Sequence, residues 1–227
     1  MVEQENILEK LANKFKTDKG TINGAKHGYV IDYFDHFQHL QNKPINILEI
    51  GVERGNSLLT WDSFFTHSES KIVGIDNNCD KNYYKFEVLD FNDTKISVYD
   101  VDQGDRSQLS EWINKIGIKF DIIIDDGAHL SKEQQISLGV LFPFVKPKGF
   151  YVIEDLATMY QWPKELNYDK NTLNLIKDFM KNKTFNSEYM TDNEIKYLIE
   201  QSSKSFLYDD HCLENIRIDQ LWILNKK

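Results

Sequence analysis

The chain has 227 residues, 41% of them hydrophobic and 13% aromatic, and a formal net charge of −9. That length and apolar content suit one large buried core and exclude a disordered tail protein. The acidic balance argues against nucleic acid or an anionic membrane as the main partner, and no apolar run approaches the roughly 18 residues of a membrane span.

The opening residues, Met1 to Glu5, are acidic and do not read as a signal peptide. Ile7, Leu8, Leu11, Ala12 and Phe15 then recur at helical spacing, as do Val30, Ile31, Phe34 and Phe37. Between the two helices lies Thr17-Asp18-Lys19-Gly20, followed by Gly24 and Gly28, a polar loop punctuated by glycine. Residues 1–40 therefore read as an N-terminal helical segment with its loop, and residues 41–227 as one Rossmann-like domain.

From residue 45 the rhythm changes. Residues 45–50, 71–76, 95–99, 120–125 and 150–153 are predicted strands. The fourth is nearly all apolar, as expected of a strand buried on both faces. Residues 58–65 and 107–116 are predicted helices. Ser131 and Gln134 have capping-box spacing and open a helix expected to run to about residue 145. Pro147-Lys148-Gly149 reads as a turn. Strand–helix alternation with short connections implies a parallel sheet with right-handed crossovers. Beyond residue 156 the pattern loosens into a loop around Tyr160 and Trp162 and helices over 173–180 and 194–201. Runs at 205–208 and 216–224 predict an antiparallel hairpin at the sheet edge. The fold class expected is α/β, doubly wound, with a mostly parallel seven-stranded sheet and a C-terminal antiparallel hairpin.

Three segments carry chemistry. Glu49-Ile50-Gly51-Val52-Glu53-Arg54-Gly55-Asn56-Ser57 joins the first strand to its helix, with two glycines that permit a sharp turn and close approach to a ligand. Asp76 ends the next strand, where a carboxylate can accept both hydroxyls of a ribose. Together they favour a nucleoside-type cofactor over an ordinary tight turn. Asp102 and Gln103, just past the third strand, can reach an adenine amino group or merely solvate a loop. The sharpest group is Asp125-Asp126-Gly127-Ala128-His129 after the fourth strand with Glu154-Asp155 closing the fifth. Ligands of open parallel sheets bind beyond the carboxyl ends of the strands, so four carboxylates and an imidazole are expected at one place. Four such acids would repel one another without a cation, and oxygen ligands suit Mg²⁺, Mn²⁺ or Ca²⁺. A neutral His129 beside them is a natural general base. His27 is by default a surface-loop residue. His36, His39, His67 and His211 lack metal-ligand spacing with cysteine. Cys79 and Cys212 are too few for a disulfide framework and read as free thiols in a reducing cytosol, hence a cytoplasmic protein.

The residues from Glu49 to Ser57, Gly74-Ile75-Asp76, Asp125 to His129 and Tyr151 to Asp155 resemble the S-adenosylmethionine-dependent, Mg²⁺-dependent sugar O-methyltransferases of the mycinamicin and macrocin type. Phe15 to Gly20 and His27-Gly28-Tyr29 also look like that group. The resemblance spans about residues 13 to 160. It departs in having Ala128 where the family usually has Ser, and in lacking the long N-terminal domain of some members. It implies a loop over the cofactor in the first 40 residues, with Thr17, Lys19, Glu49, Gly51, Asn56, Ser57, Asp76, Asp102, Gln103 and Asp125 binding S-adenosyl-L-methionine. It further implies that Asp126, Glu154 and Asp155 bind Mg²⁺ (or Mn²⁺), with His129 as the base. The acceptor implied is a small molecule or glycan, with no nucleic acid and no membrane insertion, and a homo-oligomer is left open. A bacterial role in decorating a polysaccharide or secondary metabolite follows from family and composition alone. Competing readings keep the cofactor with a phosphoryl, phosphoramidate or phenolic oxygen as acceptor, or make the chain a non-catalytic nucleoside-binding module or a hydroxylase-like relative.

Overall fold

The computed structural model describes residues 6–22, 27–77, 94–156, 171–211 and 219–227. The features noted at Gly24, Cys79, Tyr160, Trp162 and Cys212 lie outside these residues. The strands are β1 (Asn46–Ile50), β2 (Lys71–Asp76), β3 (Ile96–Asp100), β4 (Phe120–Asp125), β5 (Val145–Ile153), β6 (Ser202–His211) and β7 (Asp219–Lys226). The helices are α1 (Ile7–Phe15), α2 (Val30–Phe37), α3 (Asn56–Phe64), α4 (Arg106–Ile116), α5 (Ser131–Leu141), α6 (Thr172–Asn182) and α7 (Asp192–Gln201).

The strands form one sheet in the order β3-β2-β1-β4-β5-β7-β6. β1 to β5 pair in parallel, and β7 runs antiparallel to both β5 and β6. This is the doubly wound fold expected of the sequence. The chain winds outward from β1 to β3, then returns to β4 beside β1. The strand ends at β1 and β4 are therefore the switch point, where this architecture opens a crevice.

Alternation along each strand gives the sheet two buried faces. Ile47, Ile72, Ile122, Ile124, Val152 and Ile223 pack beneath α1, α2 and α3. Leu48, Val73, Ile75, Ile123, Tyr151 and Ile153 pack beneath α4 to α7. The N-terminal helices thus share a core with the sheet. Phe37 of α2 meets Phe150 edge to face at 5.2 Å, and Tyr33 meets Trp61 of α3 at 5.6 Å.

Three local expectations need correction. Ser131 does not cap α5: the N-cap position is Leu130, and Ser131 Oγ instead accepts from the backbone of Thr172 at 3.2 Å. Among the described residues a capping box forms at α7, where Thr191 and Glu194 exchange side-chain and backbone hydrogen bonds. Helix α5 stops at Leu141, because Pro143 leads a 3₁₀ turn over Phe142–Phe144. Residues 147–149 stay within β5. Lys148 sits there at φ 65°, and the register with β4 shifts between Phe120 and Ile122, the signature of a bulge. The hairpin forms at one edge of the sheet as expected, with β6 outermost and β7 between it and β5.

Lys226, near the end of β7, is buried among carbonyls. Its Nζ donates to Val145 at 2.8 Å, Pro143 at 3.0 Å and Phe142 at 3.3 Å, and lies 5.0 Å from the centre of the Tyr197 ring. One ammonium so terminates the α5–β5 connection. The variant Lys226→Met should lose about 2–3 kcal/mol, as expected for hydrogen bonds to a charged group. Urea denaturation with an unchanged m-value is the check, and a loss below about 0.5 kcal/mol would show that the carbonyls do without it.

Candidate active site

Two loops meet at the switch point. Gly51, directly after β1, adopts φ 88°. A Cβ there would lie 2.1 Å from the Asp126 carbonyl oxygen, so only glycine lets the loops after β1 and β4 touch. Asp76 at the end of β2 binds this first loop, its Oδ2 accepting from Val52 N at 2.8 Å and Glu53 N at 3.2 Å. Gln103, past β3, braces the second. Its Oε1 accepts from Ala128 N at 2.7 Å and its Nε2 donates to Asp125 Oδ1 at 3.0 Å. Neighbouring Gly127 has no room for a side chain against that amide.

The four carboxylates of β4 and β5 do not share one environment, and here the expected single cluster is corrected. Asp125 turns away into the core, where Ser137 Oγ and Gln103 Nε2 donate to it. Burial pushes its pKa up to about 6, against the pull of those two donors. Glu154 is also buried. Its Oε1 accepts from Tyr33 Oη at 2.5 Å and its Oε2 from Lys19 Nζ at 2.9 Å. Lys19 Nζ binds Asp126 as well and lies 3.5 Å from Glu49 Oε1. Glu49 Oε2 accepts from Ser57 Oγ at 2.8 Å and Trp61 Nε1 at 3.2 Å. Burial raises Glu49 to about 7, although Lys19 opposes it. Burial likewise raises Asp126 and Glu154. For Lys19 burial works to lower the pKa, but Asp126, Glu154 and Glu49 outweigh it and hold the ammonium well above its usual value. The cation that this acid-rich place requires is thus partly supplied by the chain itself.

What remains on the open side is Asp126, His129 and Asp155. Each offers a donor atom within 4.8 Å of the others. His129 Nε2 lies 3.9 Å from Asp126 Oδ1 and 3.7 Å from Asp155 Oδ2. His129 and Asp155 both hold left-handed backbones, at φ 56° and 53°. That conformation costs a non-glycine residue about 1–2 kcal/mol, and such strain concentrates where side chains are aimed for a purpose. Tyr29 Oη donates to Asp155 Oδ1 at 2.6 Å.

A cavity of about 830 Å³ runs along these loops. Thr17, Lys19, Gly51, Asn56, Ser57, Asp76, Asp102, Gln103, Asp126, His129 and Asp155 all line it. Glu49, Asp125 and Glu154 are buried behind this wall. Helix α3 enters the wall with Gly55 at its N-cap and no side-chain cap. The sequence reading missed the parts played by Tyr29, Tyr33, Trp61 and Ser137. The tyrosines carried one available signal: two phenols four residues apart on an otherwise apolar helix face each need a buried partner.

No protein-family model matches the chain. It is 35% identical over 163 residues to the demethylmacrocin O-methyltransferase of Streptomyces fradiae, covering 69% of this chain and 38% of that protein. It is equally similar, over the same length, to the mycinamicin VI 2″-O-methyltransferase of Micromonospora griseorubida, of which it covers 37%. Among solved structures, the MycE methyltransferase of mycinamycin biosynthesis, in complex with Mg, SAH and mycinamycin VI, superposes with a TM-score of 0.71 at 26% identity. That match covers 99% of this chain and 55% of the other. The chain therefore spans well under half the length of these curated relatives.

Asp125 provides a pH test. It keeps its proton up to about pH 6 in the folded chain but loses it near its ordinary value of 3.8 when unfolded. Between those values the folded state binds more protons, so Asp125 lowers stability as pH rises. Asp125→Asn should flatten the stability–pH profile across this window relative to wild type, measured by denaturant titration. Parallel profiles would show that Asp125 is charged in the folded chain.

Proposed function

The chain belongs, over the stretch it shares with them, to the S-adenosylmethionine-dependent sugar O-methyltransferases of the macrocin and mycinamicin type, and on that premise we propose that it methylates a hydroxyl of a sugar or sugar-bearing acceptor. The observation that carries this reading is the single cavity joining the Gly51–Asp76 loop region to Asp126, His129 and Asp155. Its volume is in the range of small-molecule sites and suits a nucleoside cofactor lying beside an acceptor. Its wall of carboxylate, amide and hydroxyl groups suits a polyhydroxylated acceptor better than a phenol.

The donor set fits a hard divalent cation, because Asp126 and Asp155 turn carboxylate oxygens to one spot. Glu154, directly behind them, is the third carboxylate of the proposed Mg²⁺ set and would have to exchange its contact with Lys19. When bound, the cation supplies positive charge that favours the ionised acceptor oxygen, and S-adenosylmethionine supplies the electrophilic methyl group. The chain's own residues do the rest. The Gly51 loop and Asp76 hold the nucleoside end of the cofactor, and the uncapped start of α3 attracts its carboxylate. Asp102 lies on the wall where an adenine would rest, while Gln103 braces that wall. His129 Nε2 takes the proton from the acceptor hydroxyl, and the two flanking carboxylates face the charge that then develops on its ring. Holding acceptor oxygen and methyl group at attack distance accounts for much of the expected rate.

Calorimetric titration with S-adenosylhomocysteine, with and without Mg²⁺, tests the cofactor. Binding that Asp76→Ala weakens is expected, and no heat in either condition would sink the methyltransferase reading. With an acceptor in hand, His129→Ala should lower turnover about 10²–10⁴-fold while S-adenosylhomocysteine affinity stays near wild type. Asp126→Ala should abolish metal-dependent activity. Wild-type turnover in His129→Ala would remove the base assignment.

A further inference from the structure

Tyr29 and Tyr33 sit four residues apart at the start of α2, so their side chains leave the same face one turn from each other. Both are fully buried. Their hydroxyls reach two consecutive carboxylates at the end of β5: Tyr33 Oη donates to Glu154 and Tyr29 Oη to Asp155. The rings have little freedom to turn. Tyr29 stacks on His27 at 5.2 Å, and Tyr33 stacks on Phe37 at 5.2 Å with Trp61 against its edge. The effect on the acids is directional. With Oδ1 bound to Tyr29, Asp155 turns Oδ2 toward His129 Nε2. With Oε1 bound to Tyr33, Glu154 turns Oε2 toward Lys19 and Asp126.

We propose that Tyr29 and Tyr33 are positioning residues for the carboxylate centre, fixing which oxygens of Asp155 and Glu154 are presented to the cation and thereby setting cation affinity. The inference rests on the proposed divalent-cation site. A carboxylate hydrogen-bonded on one oxygen presents the other in a single orientation, and loss of such an outer partner typically costs 10–100-fold in metal affinity. A tyrosine buried for packing alone would be served as well by phenylalanine, as at Phe34 and Phe37 on the same helix.

The test uses the whole chain without acceptor. Free Mn²⁺ is followed by electron paramagnetic resonance during titration of wild type, Tyr29→Phe, Tyr33→Phe and the remote destabilised variant Lys226→Met. Phenylalanine keeps the volume and stacking and removes only the hydroxyl. Tyr29→Phe should weaken Mn²⁺ binding by about 10-fold or more, with S-adenosylhomocysteine affinity near wild type. Lys226→Met, equally or more destabilised, should bind Mn²⁺ like wild type. If Tyr33→Phe does not fold, Tyr29→Phe carries the comparison. Wild-type Mn²⁺ affinity in Tyr29→Phe, or an equal loss in Lys226→Met, overturns the positioning role and leaves the cation site standing. A wild-type chain that binds S-adenosylhomocysteine but no Mn²⁺ overturns the cation site, and this inference with it.

Discussion

Glu49, Asp126 and Glu154 stand at the ends of three adjacent strands and share one buried ammonium, that of Lys19. Two like charges about 4 Å apart at an effective dielectric near 20 repel by about 4 kcal/mol, so these strand ends could not all carry ionised acids without a counter-charge. The counter-charge comes from the loop between α1 and α2, outside the sheet. That loop is itself held in place, since His27 N donates to Asp18 O at 2.9 Å and Gly28 N to Gly20 O at 3.1 Å. The N-terminal segment is therefore part of the centre, and the acid-rich crevice depends on it as much as on the strands that carry the acids.

The apolar layers set the height of every group around this ammonium. Ile122 and Ile124 bury one face of β4 and Ile123 the other, so β4 has no freedom to slip, and Asp125 and Asp126 emerge on opposite sides of the same edge. Asp125 enters the core and becomes a hydrogen-bond anchor for Gln103 and Ser137. Asp126 faces the crevice. The same division separates Glu154 from Asp155 after β5. Each consecutive acid pair thus supplies one buried and one cavity-facing carboxylate, a consequence of alternation at the end of a strand.

Strain and satisfaction are divided in the same way. The buried members, Glu49, Asp125 and Glu154, accept two or more contacts each from nearby side chains. The cavity-facing His129 and Asp155 hold left-handed backbones, as do Lys16 and Glu53 on the same cavity wall. Pinned inner acids beside a strained rim suit a centre that must hold its shape before ligands arrive.

The winding of the sheet and the place of the site were legible in the amino-acid order because they rest on local patterns. Strands buried on both faces appear as short apolar runs, amphipathic helices as a 3.6-residue period, and the crevice as the acids that end β4 and β5. The capping-box spacing at Ser131 yields no cap, because that hydroxyl turns to Thr172, 41 residues away. Which acid meets which partner is settled by long-range packing. Lys19 reaches Glu154 across 135 positions, and Tyr29 and Tyr33 reach Asp155 and Glu154 across 126 and 121. No periodicity encodes such pairings. They follow from the packing of α2 and of the loop before it against the sheet, which brings two phenols and an ammonium to carboxylates that sequence spacing alone gathers into one undivided cluster.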